Sequence, residues 1–207
     1  MVTYVRLSLF LLACIFALPL SAGNILPNFS FENGTGGPYS GSSNPVTSPA
    51  DSWSIWTSGG LITAELLPTT LPDAGAGSRM LHIQAATAYS GAYIIIPQDT
   101  YYDAIWAYAV SGTAGIALVP SSWNGSFDGQ TSALDQWQYL QGKNPVTANE
   151  LVIYAVGGPA DFYVDLADVD PNPIESAPEP TTGSLALLAL GGGLLVASRR
   201  RTSRRVR

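Results

Sequence analysis

The side chains able to do chemistry in this chain are aromatic rings and carboxylates. Five tryptophans and ten tyrosines stand beside fifteen acids, whereas histidine and cysteine occur once each. Flat rings stack on the C–H faces of sugars while polar neighbours take up the hydroxyls, so these residues offer a binding surface. The sequence lacks the parts of the common catalytic centres. His82 is the sole histidine, in the run Leu81-His82-Ile83-Gln84, and its position suits a side-chain partner or solvent better than a catalytic base. There is no GxSxG and no HExxH, so a serine triad or a zinc centre has nothing to be built from. Two carboxylates for glycoside hydrolysis can be picked from any set this large, and that count decides nothing. The chain reads as non-catalytic.

Among the rings, Trp56 and Trp123 fall at loop margins and are expected to be exposed platforms, with Asn124, Asp128 and Gln130 as polar neighbours of Trp123. Trp106 and Tyr108 share one face of a strand with Tyr102 by the period of two, and line either a binding face or the core. The charge distribution narrows the ligand. Of nine basic residues, only Arg79 and Lys143 lie between residues 24 and 176, against fourteen acids there. Such a body repels phosphates, which excludes nucleic acid as its partner.

The elements that must position these residues are strands. Between residues 24 and 176 no helical period is sustained; short runs rich in Ile, Val, Tyr, Trp and Thr alternate with Gly, Pro, Asn and Ser clusters. Strands are predicted at 25–32, 52–57, 61–67, 79–85, 91–97, 101–110, 113–119, 136–141, 149–156 and 161–169, which implies an all-β antiparallel sandwich. Segments 101–110 and 113–119, joined by Ser111-Gly112, read as a tight hairpin. Residues 34–51 and 120–133 read as long loops, where binding residues tend to sit on such a scaffold.

The two ends are addresses. Residues 1–23 carry one base, an apolar run from Leu7 to Leu20 and then small residues, the pattern of a secretory signal peptide cut after Ala22 or Gly23. A retained N-terminal anchor and, through Leu11-Leu12-Ala13-Cys14, a lipoprotein signal are the alternatives. Removal of the signal takes Cys14 with it and leaves a mature chain without thiols. At the other end, residues 174–182 read as a linker, 183–198 as a short transmembrane helix and 199–207 as a basic cytoplasmic tail. The apolar stretch is marginal for a ~30 Å hydrocarbon core, and Gly191 to Gly193 weaken it as a helix. The order Pro178-Glu179-Pro180, Leu/Gly/Ala helix, then Arg199, Arg200 and Arg201 resembles the PEP-CTERM sorting signal of Gram-negative bacteria. That resemblance implies processing by an exosortase after signal peptidase has acted. The body would be held transiently at the inner membrane, facing the periplasm, before it reaches the cell surface or the extracellular matrix.

A second resemblance covers residues 24–173. The opening Asn24-Ile25-Leu26-Pro27-Asn28-Phe29-Ser30-Phe31-Glu32 is similar to the start of galactose-binding-like jelly rolls, which include many carbohydrate-binding modules. Trp53, Leu81 and Ile83, the Tyr-rich strand at 101–108, Trp137 and the closing Asp161-Phe162-Tyr163-Val164-Asp165 follow in the same order. The resemblance implies a jelly roll with Trp53 and Trp137 in its core. It also implies a structural Ca²⁺ held by Glu32 and Asp165, with Glu65, Asp168 or carbonyls completing the shell. Leu166 departs from the pattern, standing where a second acid often follows Asp165. The function implied is binding of extracellular polysaccharide or another glycan; a structural or adhesive matrix protein without a specific small ligand is the alternative.

Replacing Arg199, Arg200 and Arg201 by neutral residues is expected to leave the chain unprocessed and mis-sorted. Immunoblotting of membrane and culture fractions reads this directly, and an unchanged pattern would refute the sorting assignment.

Overall fold

The structure, a computed structural model, describes residues 24–72, 76–120 and 129–174. The signal-peptide, linker and transmembrane assignments lie outside the described residues. Within them the protein is all-β and antiparallel, with ten strands: β1 (Tyr39–Gly41), β2 (Ser54–Trp56), β3 (Ile62–Pro68), β4 (Arg79–Ala85), β5 (Gly91–Ser111), β6 (Ala114–Val119), β7 (Gly129–Gln130), β8 (Trp137–Gln141), β9 (Val146–Ala155) and β10 (Ala160–Asp170).

The strands form two layers that share β5. In the first, β1 pairs β3, β3 pairs β4, β4 pairs β10, β10 pairs the C-terminal half of β5, and that half pairs β8. In the second, β2 and β9 flank the N-terminal half of β5, and β6 joins β9 to β7. The two predicted segments 91–97 and 101–110 are therefore one strand that passes between layers. Its turning point has a local cause: Pro97 has no N–H to give a ladder, and the pairing with β9 slips between Ile95 and Asp99.

Alternation along each strand sends apolar side chains into a common core. Ile62, Leu81, Ile83, Ile105, Phe162 and Val164 of the first layer meet Ile55, Ile94, Ile116, Leu118, Leu151 and Ile153 of the second. Burying each such side chain stabilises the fold by about 1.5–3 kcal/mol before entropy is counted. The arrangement is consistent with a β-sandwich.

The segments 34–51 and 120–133, expected to be loops, contain the short strands β1 and β7, which extend the sheets by pairing with β3 and β6. Two further elements differ from the sequence expectation. Residues 25–32 form a turn rather than a strand: Asn28 and Phe31 take φ of 52° and 55°, and Phe31 N–H donates to Asn28 carbonyl at 3.2 Å. Pro27 lacks a donor and Asn tolerates the left-handed region, so this local signal outweighs the apolar run. The segment still reaches the closing strand, because Asn24 Nδ2 donates to Ala167 carbonyl at 2.6 Å and Val169 N–H donates back to Asn24 Oδ1 at 3.2 Å.

Segments 101–110 and 113–119 do not form a hairpin either. β6 pairs β9, with Ala114 opposite Ala155, while Ser111 on β5 lies opposite Asp161 on β10. Ser111-Gly112-Thr113 carries the chain from one layer to the other. Gly112 has φ of 68°, and a Cβ there would lie 2.2 Å from the Pro159 carbonyl oxygen. Gly112→Ala is expected to destabilise the protein by at least about 2 kcal/mol, seen as a lowered midpoint in denaturant with an unchanged slope.

Candidate functional site

The outer face of the first layer gathers most of the reactive side chains. Register places Glu65 beside His82, His82 beside Tyr163, Tyr163 beside Tyr108 and Tyr108 beside Trp137, a row across β3, β4, β10, β5 and β8. Adjacent strands are about 4.8 Å apart, so from His82 to Trp137 the row runs about 14 Å. The His82 ring stacks on Tyr163 at 4.4 Å and 21°, Tyr163 meets Tyr108 edge to face at 5.8 Å, and Tyr108 meets Trp137 at 5.7 Å and 64°. Such ring pairs each contribute about 0.5–1.5 kcal/mol beyond burial, which fixes their orientation.

Two residues along the strands lies a polar row. Ser40 and Thr63 share a hydrogen bond at 2.8 Å, and Gln84 Nε2 donates to Asp161 Oδ2 at 2.9 Å. His82 links the rows, its Nδ1 lying 3.0 Å from Glu65 Oε1 and its Nε2 2.8 Å from Asp161 Oδ1. The sole histidine thus faces side-chain partners, as its sequence context suggested, and its two ring nitrogens are committed to holding carboxylates in place. A shallow cavity of about 280 Å³ opens beside this row, lined in part by Thr63, Gln84, Ser111 and Asp161.

On the opposite side of the aromatic row, Trp106 packs against Tyr139 at 5.3 Å, and a cavity of about 420 Å³ follows along Tyr102, Tyr139, Gln141 and Lys143. Burial, then the charges of Asp168 and Asp103, push the Tyr139 hydroxyl up to about 12. Burial, then Asp161, Glu65 and Tyr108, likewise raise Tyr163. Both phenols therefore stay protonated donors at neutral pH.

The expected ligand residues separate. Trp106 and Tyr108 lie on this face with Tyr102, whereas Trp56 lies on the outer face of the second layer beside Tyr93. Trp123, Asn124 and Asp128 lie outside the described residues, as do Pro178, Glu179, Pro180, Arg199, Arg200 and Arg201; Gln130 is exposed on β7. Trp53 packs in the core against Phe31 at 5.0 Å. Trp137, expected there too, is instead half-buried on the outer face, because Leu140 is the β8 residue that turns inward. Sequence reading also passed over Tyr163 and Tyr139; alternation against the inward Phe162, Val164 and Leu140 marks both as outward.

The two carboxylates assigned to calcium each accept donors of the protein itself. Glu32 Oε1 accepts the backbone N–H groups of Ser78 and Arg79 at 2.7 and 2.8 Å, and Oε2 accepts Ser78 Oγ at 2.6 Å. Burial opposes its charge, but the hydrogen bonds from Ser78 and Arg79, with the Arg79 charge, prevail and hold Glu32 below the usual carboxylate range. Asp165 accepts Thr69 Oγ1 at 2.6 Å and the Leu166 N–H at 2.8 Å. Leu166, with φ of 48°, sits in the slip between Asp165 and Asp168 where β10 bulges against β5. No three His, Cys, Asp or Glu side chains converge on a metal position among the described residues.

Residues 176–201 match the PEP-CTERM protein-sorting motif, so the chain carries that motif after a body whose described residues are all-β. No curated protein sequence matches it. Among solved structures it is similar to carbohydrate-binding modules. One is the C-terminal family 22 module of Clostridium thermocellum Xyn10B, at 17% identity and TM-score 0.48, over 73% of this chain and 96% of that one. Another is the tandem family 22 domain of Paenibacillus barcinonensis Xyn10C, at 13% identity and TM-score 0.46, over 73% of this chain and 49% of that one. A third is TmCBM61, solved in complex with β-1,4-galactotriose, at 14% identity and TM-score 0.42, over 71% of this chain and 97% of that one.

Asp168 gives the face a pH signature. Burial, then the neighbouring Asp170 charge, push its carboxyl up to about 6 despite a hydrogen bond from the Val169 N–H. Between the unfolded value near 4 and the folded value near 6 the native state binds more protons than the unfolded state, so this group's contribution weakens as pH rises. Asp168→Asn is expected to raise the melting temperature at pH 8 and to lose that advantage towards pH 4, in parallel melts of both proteins.

Proposed function

We propose that this protein is an exported, surface-sorted and non-catalytic jelly-roll module that binds a glycan along the outer face of its first layer. The carrying observation is the row of Tyr163, Tyr108 and Trp137 in ring-to-ring contact beside the polar row of Thr63, Gln84 and Asp161. The rings supply apolar contact, while the carboxylates, the amide and the protonated phenols supply acceptors and donors for hydroxyl groups. A row of about 14 Å from His82 to Trp137 suits an extended oligosaccharide better than a single ring. Trp106 and Tyr139 continue the aromatic surface. The sorting motif at 176–201 supports delivery through an exosortase to the surface or the medium. The carboxylates present serve as acceptors in this reading, since His82 is tied to Glu65 and Asp161.

A glycan array probed with the full-length chain, with and without Ca²⁺, tests the reading. Specific binding is expected, with affinity falling at least about tenfold in Tyr108→Ala or Trp137→Ala, a loss of about 1.4 kcal/mol. Unaltered melting would show that these variants remain folded. A folded wild-type chain that binds no glycan would overturn the proposal in favour of a structural matrix role. A dependence on Ca²⁺ that disappears in Glu32→Ala and Asp165→Ala would establish the metal.

A further inference from the structure

The outer face of the second layer carries a different cavity, of about 450 Å³, lined by Trp56, Tyr89, Tyr93, Ile95 and Glu150 with Ser58 at its edge. Its position follows from register: Trp56 lies opposite Gly91, Tyr93 opposite Val152 and Ile95 opposite Glu150, on one side of β2, β5 and β9. Beneath it Tyr154, Val152, Ala117 and Val119 form a buried apolar layer distinct from the main core. Trp56 and Tyr93 stand at 69° to each other with centroids 5.8 Å apart, two walls of a corner. Tyr89 supplies a third ring, stacked over Tyr154 at 6.1 Å and 22°.

Tyr89 is built into this place at a cost. Its φ is 59°, a region that bulky side chains rarely occupy, yet it is 47% exposed rather than buried for packing. The surroundings hold it there. Its N–H donates to Ala155 carbonyl at 2.8 Å, and the adjacent Ser90 carbonyl accepts Ala155 N–H at 3.0 Å. Ser90 Oγ contacts the hydroxyls of Thr87 at 3.0 Å and Ser58 at 3.3 Å, and accepts the Ser58 N–H at 3.0 Å. Strain retained by such a network points from the outlier to a use.

The charge of the lining decides the ligand. Among the described residues Glu150 is the only carboxylate on the lining, no base lines it, and the Glu150 carboxylate takes no hydrogen bond. Ser58 Oγ is already committed to the Ala88 carbonyl at 2.6 Å, which leaves the hydroxyls of Tyr89 and Tyr93, the indole N–H of Trp56 and the Glu150 carboxylate as the polar groups of the lining. Aromatic faces around a single carboxylate suit a soft cation, which is attracted by the ring quadrupoles and loses little hydration on entry. We propose that this cavity binds a small organic cation, a quaternary or alkylated ammonium group, through Trp56, Tyr89 and Tyr93 with Glu150 as counter-charge.

Titration of the full-length chain with choline, and with its uncharged carbon isostere in which a tert-butyl group replaces trimethylammonium, tests this by calorimetry and tryptophan fluorescence. Saturable choline binding is expected, with the isostere several-fold weaker. Trp56→Ala should weaken choline about tenfold, and Glu150→Gln several-fold with loss of most salt dependence. Tyr108→Ala, on the opposite face, should bind choline as the wild type does, which separates this site from the glycan face. Equal binding of choline and isostere, no saturable binding by the folded wild type, or undiminished binding by both folded Trp56→Ala and Glu150→Gln would overturn the proposal.

Discussion

The structure depends on one strand being long enough to belong to both layers. β5 runs from Gly91 to Ser111, and its two halves pair with different neighbours. Because side chains alternate along it, the same strand sends Ile94 and Ile105 into the core and turns Tyr93 and Tyr108 outward on opposite faces of the molecule. The irregularity around Pro97 lets it change layers without breaking the chain. Had the strand continued in the layer that holds Trp56, alternation would have sent Trp106 and Tyr108 the way of Ile94, into the core.

The outer face of the first layer balances two opposing tendencies. Large rings gain by covering one another, and carboxylates lose by being covered. Glu65 and Asp161 are kept partly exposed and tied to His82, whereas Asp165 is fully buried and accepts Thr69 and its own neighbour's N–H. Asp168 is covered beside a second carboxylate, Asp170, and its raised proton affinity records that. Trp137 donates to Thr70 Oγ1 at 3.3 Å, so the connection leaving β3 touches both the buried acid and the ring at the far edge.

Local alternation made much of this legible. The placing of Trp106 and Tyr108 on one face needed only the period of two, and strands 79–85 and 61–67 fall within a residue of their observed ends. One failure required partners distant in sequence, and two had local causes. Ser111-Gly112 has the composition of a hairpin turn, but whether the chain folds back or crosses to the other layer depends on β9 and β10, which are not yet in view at that point. Trp137 was assigned inward by resemblance, although Leu140 three residues on already fixes the opposite phase. The opening segment failed because one Pro-Asn pair outweighed the apolar residues around it. The cavity of Trp56, Tyr93 and Glu150 joins three strands, and only Trp56 stood out in the sequence.

The place of β10 has a mechanical meaning. It is bonded on one side to β4 and on the other to β5, and it is the strand from which the chain leaves towards the sorting motif. A pull on that end is directed along the strand, so the ladders on both sides are loaded together in shear instead of being unzipped one rung at a time. Asn24 is clamped to the same strand through Ala167 and Val169, which puts both ends of the described body at one corner. A molecule gripping a fixed polymer by its faces, and hauled by its C-terminal end, would thus put its load on a strand bonded along both sides.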